Sequence, residues 1–144
     1  MPAQSVADTR AVVEATYAAW AARDLDGTLA HMADDCTYTM HVPTEVLAYG
    51  GAHHGKAAIA DCLKAILADY SFVAYAVDWL AVDGENARAQ VVYYYSHTES
   101  GVQLDGRFRH VWRVAGGKVV AVDEYHDVAK LKAFLDMVQS LRSH

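Results

Sequence analysis

Apolar residues in the first half of the chain recur every three to four positions, the period of a helix that is buried on one side. The first such helix is predicted from Ser5 to Arg23, where Ser5 and Asp8 approximate a capping box. Its apolar stripe consists of Val6, Val13, Tyr17 and Trp20. The next predicted elements are a helix over Leu25–Met32, a strand over Cys36–Val42 and a helix that opens after Gly55.

The apolar period changes to two in the second half of the chain, as expected of strands. Asp83-Gly84 and Gly116-Gly117 are typical turn sequences between them. The predicted strands are Ser71–Leu80, Ala87–His97, Gly106–Val114 and Lys118–Tyr125, and a final helix covers Ala129–Arg142. Helices and strands that are segregated in this way predict an α+β fold with an antiparallel meander.

One strand lacks the alternation of apolar and polar residues that is expected when one face of a sheet is exposed. The run Val91–Tyr95 is apolar or aromatic at every position, so both faces of the sheet need cover. One face would cover the helices. For the other we expect a second copy of the chain, which gives a homodimer through the sheet; the alternative cover is the chain's own last helix.

The composition excludes several classes of partner. A length of 144 residues suits a single domain over 1–144. The net charge of −6 and the absence of a basic run argue against nucleic acid, because phosphate contacts need a basic surface. No window approaches 18 consecutive apolar residues and no signal peptide is recognisable, so we expect no membrane partner and a cytoplasmic location.

Several short segments together resemble the SnoaL-like branch of the nuclear transport factor 2-like (NTF2-like), ketosteroid isomerase-like superfamily. They are residues 22–26, 32–37, 51–59, 111–114, 116–119 and 123–127. The resemblance implies a cone-shaped fold in which three N-terminal helices pack on a curved, mainly antiparallel sheet, followed by a C-terminal helix. It also implies one enclosed pocket for a small molecule, although the fold alone does not choose among the superfamily's activities.

The resemblance does not carry the catalytic residues of the ketosteroid isomerases. Those enzymes use an Asp on the first strand as base, and a Tyr and an Asp as an oxyanion hole. The base position falls on Met40, which cannot take a proton. The Tyr position falls on Thr16, next to Tyr17, and the late Asp position falls on His110. Isomerisation by that mechanism is therefore not expected.

Strand alternation and the resemblance together indicate which side chains face the pocket. If His110 points inward, the arginines on either side of it point away. The predicted catalytic residues are His110, Glu124 and His126. The predicted substrate-binding residues are Tyr17, Trp20, Tyr38, Met40, Tyr93, Phe108 and Trp112.

Glu124 and His110 are expected to act as a coupled acid–base pair, since a carboxylate can fix the tautomer of an imidazole or exchange a proton with it. The alternative is that they only satisfy each other's hydrogen bonds inside a tight core. We expect no metal or cofactor, because the spacing of these residues, like that of Cys36 and Cys62, matches no metal motif. The two cysteines are predicted to be buried free thiols.

Two segments near the pocket were assigned from local pattern. His53-His54 is interpreted as a turn or helix entry, and residues 41–52 as an irregular segment at the pocket mouth. Asp127 would face away from the pocket unless the end of its strand bends.

The sequence thus predicts a small-molecule-binding protein. The favoured function is a cofactor-independent acid–base enzyme of the isomerase, cyclase or hydrolase type, acting on a small, largely apolar molecule. The alternative is a non-catalytic ligand-binding module or a structural dimer module. A cavity of several hundred Å³ would favour ligand binding, and a filled core would favour the structural module.

Overall fold

The computed structural model describes residues 5–142, which form four helices and six strands. The helices are α1 (Val6–Ala21), α2 (Leu25–Ala30), α3 (Lys56–Asp69) and α4 (Val128–Arg142). The strands are β1 (Met32–His41), β2 (Gly51–His54), β3 (Tyr70–Asp83), β4 (Asn86–His97), β5 (Gln103–Ala115) and β6 (Lys118–Tyr125). The α+β class is confirmed. Three helices precede β3, but β1 and β2 lie between the second and the third.

The six strands form one sheet in the order β2-β1-β6-β5-β4-β3. Strands β3 to β6 are the predicted antiparallel meander. The parallel pair is β1 with β6, and β2 adds to β1 as an antiparallel edge strand. Because β1 lies beside β6, residues some 85 positions apart become neighbours in the sheet: Met40 lies beside Glu124. This pairing brings residues of β1 and β6 together in the candidate functional site.

The region around β1 and β2 differs from the prediction. His53 and His54 lie in β2, so the interpretation as a turn or helix entry is wrong, and the irregular segment ends before residue 51. A strand of four residues is too short to show a period. Strand β1 also begins earlier than predicted, at Met32. Asp34-Asp35 does not end the preceding element but forms an irregularity within the strand, where both side chains are exposed to solvent.

The inner face of the sheet packs against α1 and α3 and forms the core. Its side chains alternate with exposed ones along β4 and β5, as strand alternation predicted. Val13, Ile59, Val91 and Val114 are completely buried. Each such aliphatic side chain contributes about 1.5–3 kcal/mol relative to an exposed one. Cys36 and Cys62 are buried free thiols, as predicted.

The predicted capping at the start of α1 is present, although its apolar stripe is shorter than expected. The Ser5 hydroxyl accepts a hydrogen bond from the Asp8 backbone N–H at 3.0 Å. Val13, Tyr17 and Trp20 are buried, whereas Val6 is exposed. The stripe therefore begins at Val13, about two helical turns later than predicted.

The outer face of the sheet is not covered by the chain itself. It exposes several large apolar side chains, among them Trp79, Val92, Val111 and Tyr125. Helix α4 lies on the cavity side instead, where Phe134 packs against Tyr70 and His97. The chain's last helix is therefore not the cover for this face. No helix within residues 5–142 is long and apolar enough to cross a bilayer.

Candidate acid–base site

A cavity of about 90 Å³ lies between the inner face of the sheet and the helices. It exceeds the roughly 10–15 Å³ that one water needs but is smaller than the roughly 300 Å³ of common ligand pockets. The volume is thus below the several hundred Å³ that would favour ligand binding, although the core is not filled. Predicted site residues that line the cavity are Trp20, Tyr38, Met40, Tyr93, Phe108, His110, Glu124 and His126.

Glu124 is the centre of the polar part of the cavity. Its Oε1 accepts hydrogen bonds from the Tyr38 hydroxyl at 2.7 Å and from His110 Nε2 at 2.6 Å. Its Oε2 accepts one from His126 Nε2 at 2.6 Å. With the Nε2 atoms of both histidines assigned as protonated, three donors converge on the two oxygens, which is the arrangement that stabilises an ionised carboxylate.

Sheet pairing brings these residues together. His110 and Glu124 are direct cross-strand partners on β5 and β6, and both side chains point inward. Tyr38 is on β1, two residues before Met40, which lies beside Glu124, so both β1 side chains are on the same face of the sheet. His126 follows the end of β6 by one residue. The carboxylate therefore comes from β6, next to Met40, which occupies the position that the resemblance assigned to the isomerase base.

Tyr17 and Trp112 are not among the cavity-lining residues. They form a buried chain of hydrogen bonds behind His110. The Trp112 indole N–H donates to the Tyr17 oxygen at 2.9 Å, and the Tyr17 hydroxyl lies 2.6 Å from His110 Nδ1. The structure therefore places these two predicted substrate-binding residues in contact with a site residue rather than with the cavity.

This chain of hydrogen bonds has a definite direction. Since the Tyr17 oxygen already accepts from Trp112, its own proton is free to donate to His110 Nδ1. His110 Nδ1 is then an acceptor, and Nε2 carries the proton that is donated to Glu124. The network therefore favours a neutral His110 in a single tautomer, which we assign from the hydrogen bonds.

The surroundings of Glu124 act on its pKa in opposite directions. Burial raises the pKa, but the positive charge of His126 and hydrogen bonds from both histidines outweigh burial and hold it well below its ordinary value. Burial and the charge of Glu124 raise the pKa of Tyr38 well above its usual range. Glu124 thus stays ionised near neutral pH, rather than sharing a proton with His110 as the sequence suggested.

Acidification is expected to destabilise the protein through Glu124. A carboxyl whose pKa is lowered by folding contributes its full stabilisation above its unfolded-state pKa, about 4.3. That contribution is lost as the pH falls through the folded-state value. In urea titrations at successive pH values, the unfolding free energy of Glu124→Gln should therefore fall less steeply below about pH 4.3 than that of the wild type. Asp123→Asn, the adjacent partly exposed carboxylate, is the control and should keep the wild-type slope.

Other titratable residues near the site have structural partners. The His53 Nε2–H donates to the Tyr49 carbonyl at 2.7 Å, and His54 Nδ1 lies 2.8 Å from the Thr37 hydroxyl on the exposed side. The Asp127 carboxylate accepts from the Lys130 backbone N–H at 3.1 Å, at the start of α4. Within residues 5–142, no three His, Cys, Asp or Glu side chains are arranged to bind one metal ion.

The sequence analysis missed a large part of the cavity wall. Six tyrosines line it, of which only Tyr38 and Tyr93 were predicted; the others are Tyr49, Tyr70, Tyr75 and Tyr95. Tyr95 could have been predicted from the sequence, since it shares a strand face with Tyr93. Tyr75 is the partner of Tyr93 in the β3–β4 register, which the sequence did not reveal.

Comparisons with solved structures agree with this architecture. An NTF2-like protein of unknown function from Burkholderia pseudomallei is 24% identical, with 88% of this chain and 96% of that chain covered and a TM-score of 0.77. TerC co-crystallised with polyporic acid is 20% identical, with coverage of 90% and 98% and a TM-score of 0.78. A ketosteroid isomerase-like fold from Catenulispora acidiphila DSM 44928, in complex with trimethylamine, is 18% identical, with coverage of 83% and 88% and a TM-score of 0.71.

A search of curated proteins gave no sequence match. The SnoaL-like domain family, in contrast, matches residues 13–122, which is most of the chain. That span contains α1 from Val13 onward, α2, α3, the first five strands and β6 as far as Val122, whereas Glu124 and His126 lie beyond it. This match shows that the chain belongs to the SnoaL-like domain family, and the structural neighbours show that its fold is that of NTF2-like proteins.

Proposed function

We propose that this protein is a cofactor-independent acid–base enzyme that acts on a small, largely apolar molecule. The observation that carries the proposal is a buried, ionised carboxylate that holds two imidazoles in an aromatic cavity. Such an arrangement fits isomerase, cyclase or hydrolase chemistry, in each of which a proton moves to or from a bound substrate.

The geometry suggests different roles for the two histidines. Both ring nitrogens of His110 have protein partners, Tyr17 and Glu124, so this residue positions the carboxylate. The Nε2 atom of His126 is hydrogen-bonded to Glu124, and its Nδ1 atom makes no hydrogen bond to any of residues 5–142. His126 lines the cavity, and we therefore assign it the proton transfer, with Glu124 fixing its tautomer.

The ligand-bound neighbours support a small-molecule site in this fold. TerC was crystallised with polyporic acid and the Catenulispora protein with trimethylamine. By analogy, the cavity of this chain would receive a small organic molecule. The analogy concerns the site and not the reaction, because a fold hosts many chemistries.

The proposal can be tested without knowing the natural substrate. The protein is incubated with a panel of small ketones, enones and epoxides, both neutral and amine-bearing, in D₂O and separately in H₂¹⁸O, and the products are analysed by mass spectrometry. Deuterium incorporated at carbon would indicate isomerase- or cyclase-type proton transfer, and ¹⁸O would indicate addition of water. If neither isotope enters any compound above the rate of the protein-free control, the enzymatic proposal fails.

The second candidate is a ligand-binding module without catalysis. The observation that favours it is the saturation of the Glu124–His110 pair by protein hydrogen bonds, as in a structural network. In this case compounds from the same panel would bind, as followed by ligand-observed NMR, and none would exchange an isotope.

We further propose that the chain forms a homodimer through the outer face of the sheet. The exposed Val92 and Val111 lie on the central strands of that face. Sedimentation at micromolar concentration is expected to give twice the chain mass, and Val92→Glu should give monomers because it would bury a charge in the interface. Met137→Glu, at an exposed apolar position on α4, is the control. A monomeric wild type would contradict the proposal.

A further inference from the structure

The cavity has an uneven balance of charge. Glu124 is buried and ionised, while none of the lining residues is a lysine or arginine. A carboxylate in an apolar environment needs a nearby positive charge or several donors, because removal from water disfavours the charged form. Three donors already reach the carboxylate, and a positive charge beside it would stabilise the ionised form further.

His110 does not supply that charge when its hydrogen bonds are as observed. In the tautomer assigned above, its Nδ1 accepts the Tyr17 proton and the ring carries no charge. Two sources of positive charge remain next to the carboxylate: a proton on His126 or a charged group of the ligand. Oε2 accepts a single hydrogen bond from residues 5–142, which leaves one of its lone pairs for a ligand.

The rest of the wall also favours a cation. Six tyrosine rings, Trp20 and Phe108 line the cavity, and their faces carry the negative part of the ring quadrupole. Burial raises the pKa of Tyr75 and Tyr95 well above the usual range and that of Tyr93 to about 12, so these rings remain neutral phenols. Neighbouring rings pack directly against each other and form one continuous aromatic wall: the centroids of Tyr93 and Tyr95 are 4.6 Å apart, and those of Tyr93 and Phe108 are 5.4 Å apart.

We propose that the cavity selects compact organic cations of the alkylammonium type over neutral and anionic molecules of similar size. The inference rests on the proposed small-molecule site and names its ligand class. The aromatic wall holds the alkyl groups and the spread positive charge, and Glu124 supplies the counter-charge. An anion would instead lie beside a buried carboxylate with no lysine or arginine to compensate it. The cavity volume of about 90 Å³ restricts the ligand to a few non-hydrogen atoms.

Three probes of similar shape distinguish the effect of ligand charge from that of ligand size: tetramethylammonium, tert-butanol and pivalate. Their binding is measured by ligand-observed NMR at a series of pH values, because a proton on His126 would compete with the cation for Glu124. Tetramethylammonium is expected to bind about tenfold or more tightly than tert-butanol, and pivalate is expected not to bind.

Variants identify the groups responsible. Glu124→Gln keeps the side-chain shape and should weaken the binding of tetramethylammonium about tenfold or more. The affinity for tert-butanol should stay unchanged, and this result would also show that the cavity is intact. Asp123→Asn, whose carboxylate lies on the outer side of the same strand, should change neither. Tyr75→Leu should weaken the cation more than Tyr75→Phe does, because Phe retains an aromatic face.

Equal or tighter binding of tert-butanol, a cation affinity that is unchanged in Glu124→Gln, or failure of all three probes to bind would overturn the inference. These results are distinct from a failure of the proposed function. A clear cation preference in a protein that exchanges no isotope would support the inference and refute only catalysis. Isotope exchange combined with a preference for neutral compounds would support catalysis and refute the inferred selection of cations.

Discussion

Replacing His126 with Asn is expected to lower kcat/KM by about 10²–10⁴-fold on any substrate found by the isotope assays, the usual contribution of a general acid or base. His126 lines the cavity, is held by Glu124 through Nε2, and keeps Nδ1 without a protein partner among residues 5–142. Asn retains a polar group near the carboxylate but cannot carry a proton between two nitrogens. Steady-state kinetics with the purified variant would measure the loss.

His54→Asn is the matched control for this substitution. His54 is exposed on β2, where its ring contacts the Thr37 hydroxyl, so its loss should leave kcat/KM unchanged. Added imidazole is expected to restore part of the activity of His126→Asn and none to Glu124→Gln, which lacks the group that orients the imidazole. Full activity of His126→Asn would show that the proton transfer belongs to another residue.

Replacing His110 with Leu is expected to lower the free energy of unfolding by about 3 kcal/mol or more. Leu fills a similar volume, so the loss reports hydrogen bonds rather than a cavity. The substitution removes one of the three donors to Glu124 and leaves the Tyr17 hydroxyl without its acceptor. A buried carboxylate that keeps its charge but loses a partner is strongly unfavourable. Urea unfolding at neutral pH would measure the change.

Two further variants separate the parts of this network. Tyr17→Phe should cost about 1–3 kcal/mol, since it leaves the Trp112 N–H and His110 Nδ1 without a partner but spares the carboxylate. Tyr125→Phe, at an exposed position on the outer face, should stay within about 0.5 kcal/mol of the wild type. If His110→Leu were as stable as the wild type, Glu124 would not depend on His110, and the site would consist of Glu124 and His126 alone.

The fold class and most of the strands could be predicted because they depend on local period. Alternation along β5 placed Phe108 and His110 inward, and both are buried in the structure. The predictions failed where the pattern is short or irregular: the four residues of β2, and the start of β1 at Asp34-Asp35. In such places the pairing partner, and not the segment itself, determines the conformation.

The candidate site could be predicted only in part. His110 and Glu124 were expected to lie together, and cross-strand pairing places them 2.6 Å apart. That Tyr38 donates to the same carboxylate depends on the parallel β1–β6 pair, for which the sequence carries no local signal. That Tyr17 lies behind His110 depends on the rotation of α1 over the sheet.

By itself, the sequence determined which residues are inward-facing, aromatic or titratable, because the periods of helix and strand are local properties of the backbone. Only the tertiary structure decided how their protons are arranged. Whether a buried Glu124 shares a proton or stays ionised depends on how many donors reach it, and two of those donors, Tyr38 and His110, come from other strands of the sheet. Hydrogen bonds are effective only over a few tenths of an ångström and a narrow range of angles, so packing sets them and composition does not.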